Sequence, residues 1–217
     1  MCLASNVNGK NNRSLATRRA LTKAALHLFA EKPYAEVSLL EITERAGQKN
    51  RNALQYHFGS KRALFEQILL AHADEIDALR QQLIDALPKQ DSVSVEVAID
   101  IYLEPFLQYT RRSENGRLYA KFLAHFLRTP ERVEKVLNPD IPMSTPPSSL
   151  AEVLVSISPT LTPEERDQLL FVSNAMMIYS VDNLVRAEEQ NILTLDSPMG
   201  RHILRTLHTS LVALWTL

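Results

Sequence analysis

Apolar residues return every three or four positions along most of the chain, and no strict apolar/polar alternation runs far enough to predict a strand. That period is the signature of amphipathic helices. The first predicted helix spans Leu15 to Glu31, with Leu21, Ala25, Leu28 and Phe29 on one face and Arg18, Arg19 and Lys23 off it. A second opens at Ser38, where Ser38-Leu39-Leu40-Glu41 has capping-box spacing: the Ser oxygen accepts an orphan N–H while Glu41 reaches back to the Ser38 N–H. Leu39, Ile42 and Ala46 are expected to face inward, and Gly47 ends the helix. A short third helix is expected from about Asn50 to His57. Gly59-Ser60 then leads into a long fourth, with Ser60 as N-cap and Leu64, Ile68, His72, Ile76, Leu79, Leu83 and Leu87 in one stripe until Pro88 stops it.

Further helices are predicted near Val93–Arg112, Arg117–Leu127, Glu131–Leu137, Ser148–Ile157, Pro163–Asn191 and Met199–Leu217. Thr162-Pro163-Glu164-Glu165 starts the penultimate one with both a capping box and a proline at its first position. Four of the five glycines (Gly9, Gly47, Gly59, Gly116, Gly200) fall between helical segments and read as caps or turns. Pro105 lies inside a predicted helix; it has no N–H and crowds the carbonyl of Ile101, so a kink with a freed carbonyl is expected there. The fold class is all-α.

Composition narrows the function. At 217 residues the chain holds one or two domains, and 45% hydrophobic with 23% charged residues marks a folding chain. Cys2 is the lone cysteine, no apolar signal segment opens the sequence, and no stretch is long enough to span a membrane; a reducing cytoplasm and no membrane partner are expected. The formal charge of −1 hides a division. Residues 1–62 hold eleven Lys and Arg against four Asp and Glu, a formal +7, while the remainder holds thirteen against twenty-one, a formal −8. One end is suited to a polyanion, with a solvated basic face as the alternative. No nucleotide-binding glycine loop, no paired metal-ligand histidines and no marked nucleophile occur, so neither an enzyme nor a metal or cofactor site is expected. An architectural DNA binder without a ligand would be basic throughout, which the acidic remainder opposes.

Two short helices about a glycine turn, within a basic three-helix segment, suit a helix-turn-helix whose second helix enters a major groove. The run from Ala46-Gly47-Gln48-Lys49-Asn50-Arg51 through Tyr56-His57-Phe58-Gly59-Ser60-Lys61 to Leu64 resembles the DNA-binding signature of the tetracycline-repressor (TetR) family. In that signature the recognition helix ends in an aromatic, His and Phe, followed by a turn, Lys and an apolar residue. Two features depart from the commonest pattern: one extra residue stands between Gly47 and Leu54, and Gln55 holds the usual tyrosine position, with Tyr56 one place later.

The resemblance implies an N-terminal helix-turn-helix domain over residues 1–62, with a flexible arm, and a helical ligand-binding and dimerisation domain over residues 63–217. It further implies a homodimer on a palindromic double-stranded DNA operator, most often a repressor released by a small-molecule effector. Carried onto this sequence, Arg51 suits guanine O6/N7, and Asn52 and Gln55 suit adenine N6/N7. Ser38, Tyr56, His57 and Lys61 suit phosphate oxygens, with a solvated surface or a packed turn as the alternative. For an apolar effector the aromatic and Met set Tyr102, Phe106, Phe122, His125, Phe126 and Met176 supplies adaptable lining, with core packing as the alternative for each. Leu204, Leu207, Leu211 and Leu214 have the spacing of a helix–helix seam and are expected across the two-fold axis.

Overall fold

The computed structural model describes residues 5–88, 93–128 and 148–216, the side chains of 5–11 and 148–149 excepted. Its regular structure, among the described residues, is helical throughout. The chain divides into two compact units, Met1–His72 and Ala73–Leu217.

In the first unit α1 (Ser5–Glu31) is followed by a 3-10 turn (Tyr34–Glu36), α2 (Leu39–Arg45), α3 (Ala53–Phe58) and the start of α4 (Lys61–Asp85). Helix α1 begins ten residues ahead of the expected Leu15, and α3 is shifted toward its C-terminus. The inward stripe is as expected on α1, where Leu21, Ala25, Leu28 and Phe29 are buried, and on α4 as far as Leu79, with Leu64, Ile68, His72 and Ile76 buried too; Leu83 is only half-buried, and Leu87, also half-buried, lies past the end of the helix at Asp85. On α2 the expectation needs correcting. Ile42 and Thr43 are buried, whereas Leu39 is exposed and Ala46 only half-buried. The helix is so short that one turn around Ile42 fills the space against α1, and its first residue projects beyond that contact. Phe29, Tyr34 and Phe65 close the core as a ring trio, with centroids 5.0 to 5.7 Å apart.

The second unit holds the rest of α4 and then α5 (Val95–Arg112), α6 (Glu114–Leu127), α7 (Ser148–Ile157), α8 (Pro163–Glu189) and α9 (Pro198–Trp215). The predicted Glu131–Leu137 helix lies outside the described residues. Helix α5 packs against α6, α7 and α9, and α8 against α6 and α9. Phe106, Phe122, Leu154, Val181 and Leu211 fill the interior.

Helix starts follow their caps. Thr162 and Glu165 make the predicted reciprocal box, and Ser94, Ser113 and Ser197 each accept a backbone N–H from the first turn of the helix they open. Gly47 and Gly59 adopt positive φ, as turn glycines do. Gly116 and Gly200 do not sit between helices: each lies inside one, and a Cβ at Gly116 would collide with the Tyr109 carbonyl oxygen, so this glycine is what lets α6 leave α5 at close range.

The leucine seam needs a second correction. Leu204, Leu207 and Leu211 are buried within their own unit, where α9 packs on α5 and α8, and only Leu214 keeps a half-exposed surface. Apolar side chains already enclosed in one protomer offer a second little surface of their own.

Candidate nucleic-acid interface

The turn from α2 into α3 is built by short-range bonds. The Ser38 side chain accepts from the Glu41 N–H at 3.1 Å, and Glu41 accepts from the Ser38 N–H at 3.4 Å. Lys32 grips the same carboxylate at 2.6 Å, which, ahead of that backbone bond, holds Glu41 below the usual carboxylate range. Gly47 makes the turn at φ +66°. The Asn50 side chain accepts from the Asn52 N–H at 3.0 Å, an Asx turn that delivers the chain into α3.

Helix α3 is anchored by Ala53 and Leu54, both buried. Anchoring those two positions leaves Arg51, Asn52, Gln55 and Tyr56 outward, all exposed, and Tyr56 at 82% is the most exposed of the large apolar side chains among the described residues. These four of the seven expected DNA-contacting residues therefore share one surface. Arg51 and Asn52 lie just ahead of the helix proper, in the turn that the extra residue lengthens. His57 is half-buried, with its ring edge-on to Tyr56 at 5.0 Å, and its backbone carbonyl accepts from Arg18 at 3.1 Å.

Lys61 is placed differently from a free phosphate donor. Its Nζ donates to the carbonyls of Tyr34 at 2.9 Å and Val37 at 2.7 Å and lies 4.0 Å from the Tyr34 ring centroid. Burial there lowers its pKa. Two of its three N–H groups thus tie the start of α4 to the turn that precedes Ser38.

Two residues of this region are absent from the sequence-derived set. Lys49 is exposed on the same turn as Arg51 and carries a charge to the same surface, a position visible in the motif run itself. Arg18 bonds the His57 carbonyl and the Gln67 side chain and lies 4.6 Å from the Phe58 ring centroid, so it fixes the end of α3. Helical period alone assigns Arg18 to the polar face of α1 and gives no sign of this role. The other nearby cations are paired: Arg45 with Glu31 at 2.6 Å and Arg62 with Glu66 at 2.8 Å.

In the second unit the six expected lining residues fall on α5 (Tyr102, Phe106), α6 (Phe122, His125, Phe126) and α8 (Met176). Phe106 and Phe122 are packed in the core, at 2% and 1% exposure, and Phe122 stacks on Tyr119 with centroids 5.6 Å apart. Tyr102 is buried and donates its hydroxyl to Asn174 at 2.9 Å. His125 and Phe126 are half-buried. Met176 lines an open groove of about 290 Å³ with Ser180 of α8 and His202, Ile203, Thr206, Leu207 and Ser210 of α9. Among the described residues no group of three His, Cys, Asp or Glu stands together as metal ligands, and no helix is long and apolar enough to cross a membrane.

Residues 21–68 match the family model described as bacterial regulatory proteins, tetR family. The chain is similar in fold to native NalD, the secondary repressor of the MexAB-OprM multidrug efflux pump in Pseudomonas aeruginosa. The identity is 20% and the TM-score 0.53, over 91% of this chain and 96% of that one. A TetR-family regulator from Streptomyces coelicolor aligns with 18% identity and a TM-score of 0.42, over 94% of this chain and 96% of that one. No curated protein matches the chain. The motif run and the family model agree in placing a segment similar to the bacterial regulatory proteins of the tetR family over residues 21–68.

Proposed function

We propose that the chain is an effector-responsive transcriptional repressor that binds a palindromic operator as a homodimer and is released by a small apolar molecule. The observation that carries this reading is the outward surface of Arg51, Asn52, Gln55 and Tyr56, held on a basic unit by residues that are themselves occupied elsewhere. Arg51 has fork geometry for guanine, and Asn52 and Gln55 have paired donor and acceptor groups for adenine. Tyr56 and the Ser38 hydroxyl face phosphates, and Lys49 adds charge to the same surface. Lys61 and Arg18 act mainly by fixing the ends of the elements that carry these groups, and His57 supplies the carbonyl that Arg18 holds.

Dimerisation is assigned to the outer face of α8 and α9 rather than to the leucine seam. Val172 and Met199 are exposed there, and the open groove that contains Met176 and Ile203 lies on that face. The effector is assigned to the second unit, with Tyr102, Phe106, Phe122, His125 and Phe126 as the aromatic material that rearranges around it. A cytoplasmic location follows from this function.

The test is a comparison of Arg51→Ala with the wild type on an operator selected from random duplexes and on a scrambled duplex. Loss of a bidentate arginine removes about 1 to 3 kcal/mol of discrimination at one base position, so cognate affinity is expected to fall and preference there to relax, with scrambled binding little changed. Equal losses on both duplexes would take Arg51 off the bases, and failure to select any duplex would overturn the reading.

A further inference from the structure

Among the described residues Arg80 is the only buried arginine or lysine. What holds it inside is a defect in α5. Pro105 has no N–H, so the carbonyl of Ile101 lacks its helical donor, and the Nε of Arg80 supplies one at 3.3 Å. The guanidinium also pairs with Asp77, one turn back on α4. The two partners differ in their surroundings. Arg80 keeps 7% of its side chain exposed and Asp77 29%, so the carboxylate has water within reach and the cation does not. Burial, ahead of the attraction of Arg80, raises the Asp77 pKa, and burial likewise lowers that of Arg80. Next to Ile101 on α5 stands Tyr102, whose hydroxyl donates to Asn174 of α8 at 2.9 Å, and Phe106 follows Pro105. On α6 Tyr119 stacks on Phe122 and meets Tyr109 edge-on, with centroids 5.6 and 6.3 Å apart. Burial, ahead of the nearby Tyr109 and Asp77, pushes the Tyr119 phenol above its usual range, so it stays neutral.

We propose that Arg80 is a ligand-binding residue and that the effector is an apolar molecule ending in a carboxylate, which takes the place of Asp77 on the guanidinium. This deepens, and rests on, the reading of the chain as an effector-responsive regulator. A guanidinium presents several N–H donors in one plane and matches a carboxylate with paired parallel bonds. In a mostly apolar site, one charged group of this kind orients the ligand and selects it. Here that group is set in place before any ligand arrives, because the Ile101 carbonyl holds Nε independently of Asp77. Exchange of one carboxylate for another leaves the interior charge unchanged, and Asp77 turns to the solvent it already meets. A neutral molecule of the same shape gains no such partner and has to leave the ion pair in place. Phe106, Phe122 and the tyrosine rings take the apolar body, aliphatic or aromatic.

Calorimetric titration of the full chain without DNA tests this. The probes are naphthoate, an aromatic acid, and octanoate, an aliphatic one, each compared with the alcohol of the same carbon skeleton. In the wild type at least one acid is expected to bind about tenfold more tightly than its alcohol, the worth of one charge-assisted bond. Which acid does so tells an aromatic effector from an aliphatic one. Asp77→Asn removes the competing carboxylate, so acid affinity is expected to rise about tenfold with alcohol affinity unchanged, an effect that a merely structural role of the pair does not produce. Asp77→Asn with Arg80→Gln removes both charges, which keeps the test usable if Arg80→Gln alone fails to fold, and is expected to abolish the preference for acid. Equal affinity for acid and alcohol, binding of none of the four probes, an acid preference that survives the double variant, or acid binding no tighter in Asp77→Asn would each overturn the proposal. Release of a selected duplex by the acid is scored separately: binding in the expected pattern without release counts against the repressor reading and leaves the site standing.

Discussion

Cationic side chains are used in the same way in both units and in opposite settings. In Met1–His72, Arg18 and Lys61 donate to carbonyls at the ends of helices and turns, where backbone acceptors have no intrahelical partner. Both are half-buried, and their occupation at the back of the unit leaves Arg51 and Lys49 free at the front. In Ala73–Leu217, Arg80 donates to a carbonyl in mid-helix, Asp182 is enclosed and held by Arg186 at 2.9 Å, and Trp215 donates to buried Ser173 at 2.9 Å. The smaller unit fixes an outward surface by tying its edges; the larger one places polar bonds inside, where a change in packing must break them. Under the proposed function, reading a rigid duplex calls for the first arrangement, and responding to a molecule that enters the interior calls for the second.

The largest expected effect probes the end of the first unit. His72 stands in the inward stripe of α4, and burial pushes its pKa down to about 4. A histidine whose folded pKa lies below its unfolded value opposes folding once the unfolded chain takes up the proton. Stability is therefore complete above pH 6.5 and declines as pH falls toward 4. The loss over that interval is on the order of 3 kcal/mol. Urea unfolding between pH 7 and pH 4 measures it, and His72→Leu is expected to flatten the dependence. An unchanged pH slope in that variant would show that the acid sensitivity arises elsewhere and that the first unit has no buried titrating group of consequence.

A smaller effect separates tying from phosphate contact. Lys61→Met deprives two carbonyls of a charged donor and removes a cation from the Tyr34 ring, a loss of about 2 kcal/mol. The salt dependence of duplex binding is expected to change little. A lysine on phosphate behaves in the reverse way: its removal leaves stability intact and lowers the log–log salt slope by about 0.9 per contact, or about 1.8 for a dimer. That second pattern would return Lys61 to the phosphates and end the contrast between tied and free cations in this unit.

Much of the first unit was legible because its signals are local. The Ser38 box, the positive-φ glycines Gly47 and Gly59, the Ser60 cap and the buried pair Ala53 and Leu54 all act over a few residues, and the motif run places the exposed surface. The bonds of Arg18 and Lys61 were not legible because their partners are backbone carbonyls 39 and 24 to 27 residues away, which no pattern of side chains encodes. In the second unit the Thr162 box and the Ser148–Ile157 helix were legible for the same local reason. The leucine seam was not, because a three-and-four spacing states that a stripe is buried without stating by what. Likewise Phe106 and Phe122 read as pocket lining or as core, and only packing decides between them. The carbonyl that Pro105 frees was legible, while its donor, Arg80, sits 21 residues earlier on another helix.

The smallest effect is at Ser38, where cap and phosphate contact coincide in one hydroxyl. The oxygen accepts from the Glu41 N–H, which leaves the hydroxyl hydrogen for a phosphate oxygen outside the exposed first turn of α2. Ser38→Ala removes both and is expected to cost about 1 kcal/mol of stability in addition to weakening duplex binding. Ser38→Asp divides the two roles. Aspartate caps a helix as well as serine does, so unfolding should stay within a few tenths of a kcal/mol of wild type, but its carboxylate cannot donate and repels the phosphate. Binding to cognate and scrambled duplexes should then fall together, because a phosphate contact carries no base preference, and the loss should shrink as salt screens the repulsion. If Ser38→Asp binds duplex as tightly as wild type at low salt, Ser38 is a cap alone, and the outward surface of the first unit ends at α3 and its turn.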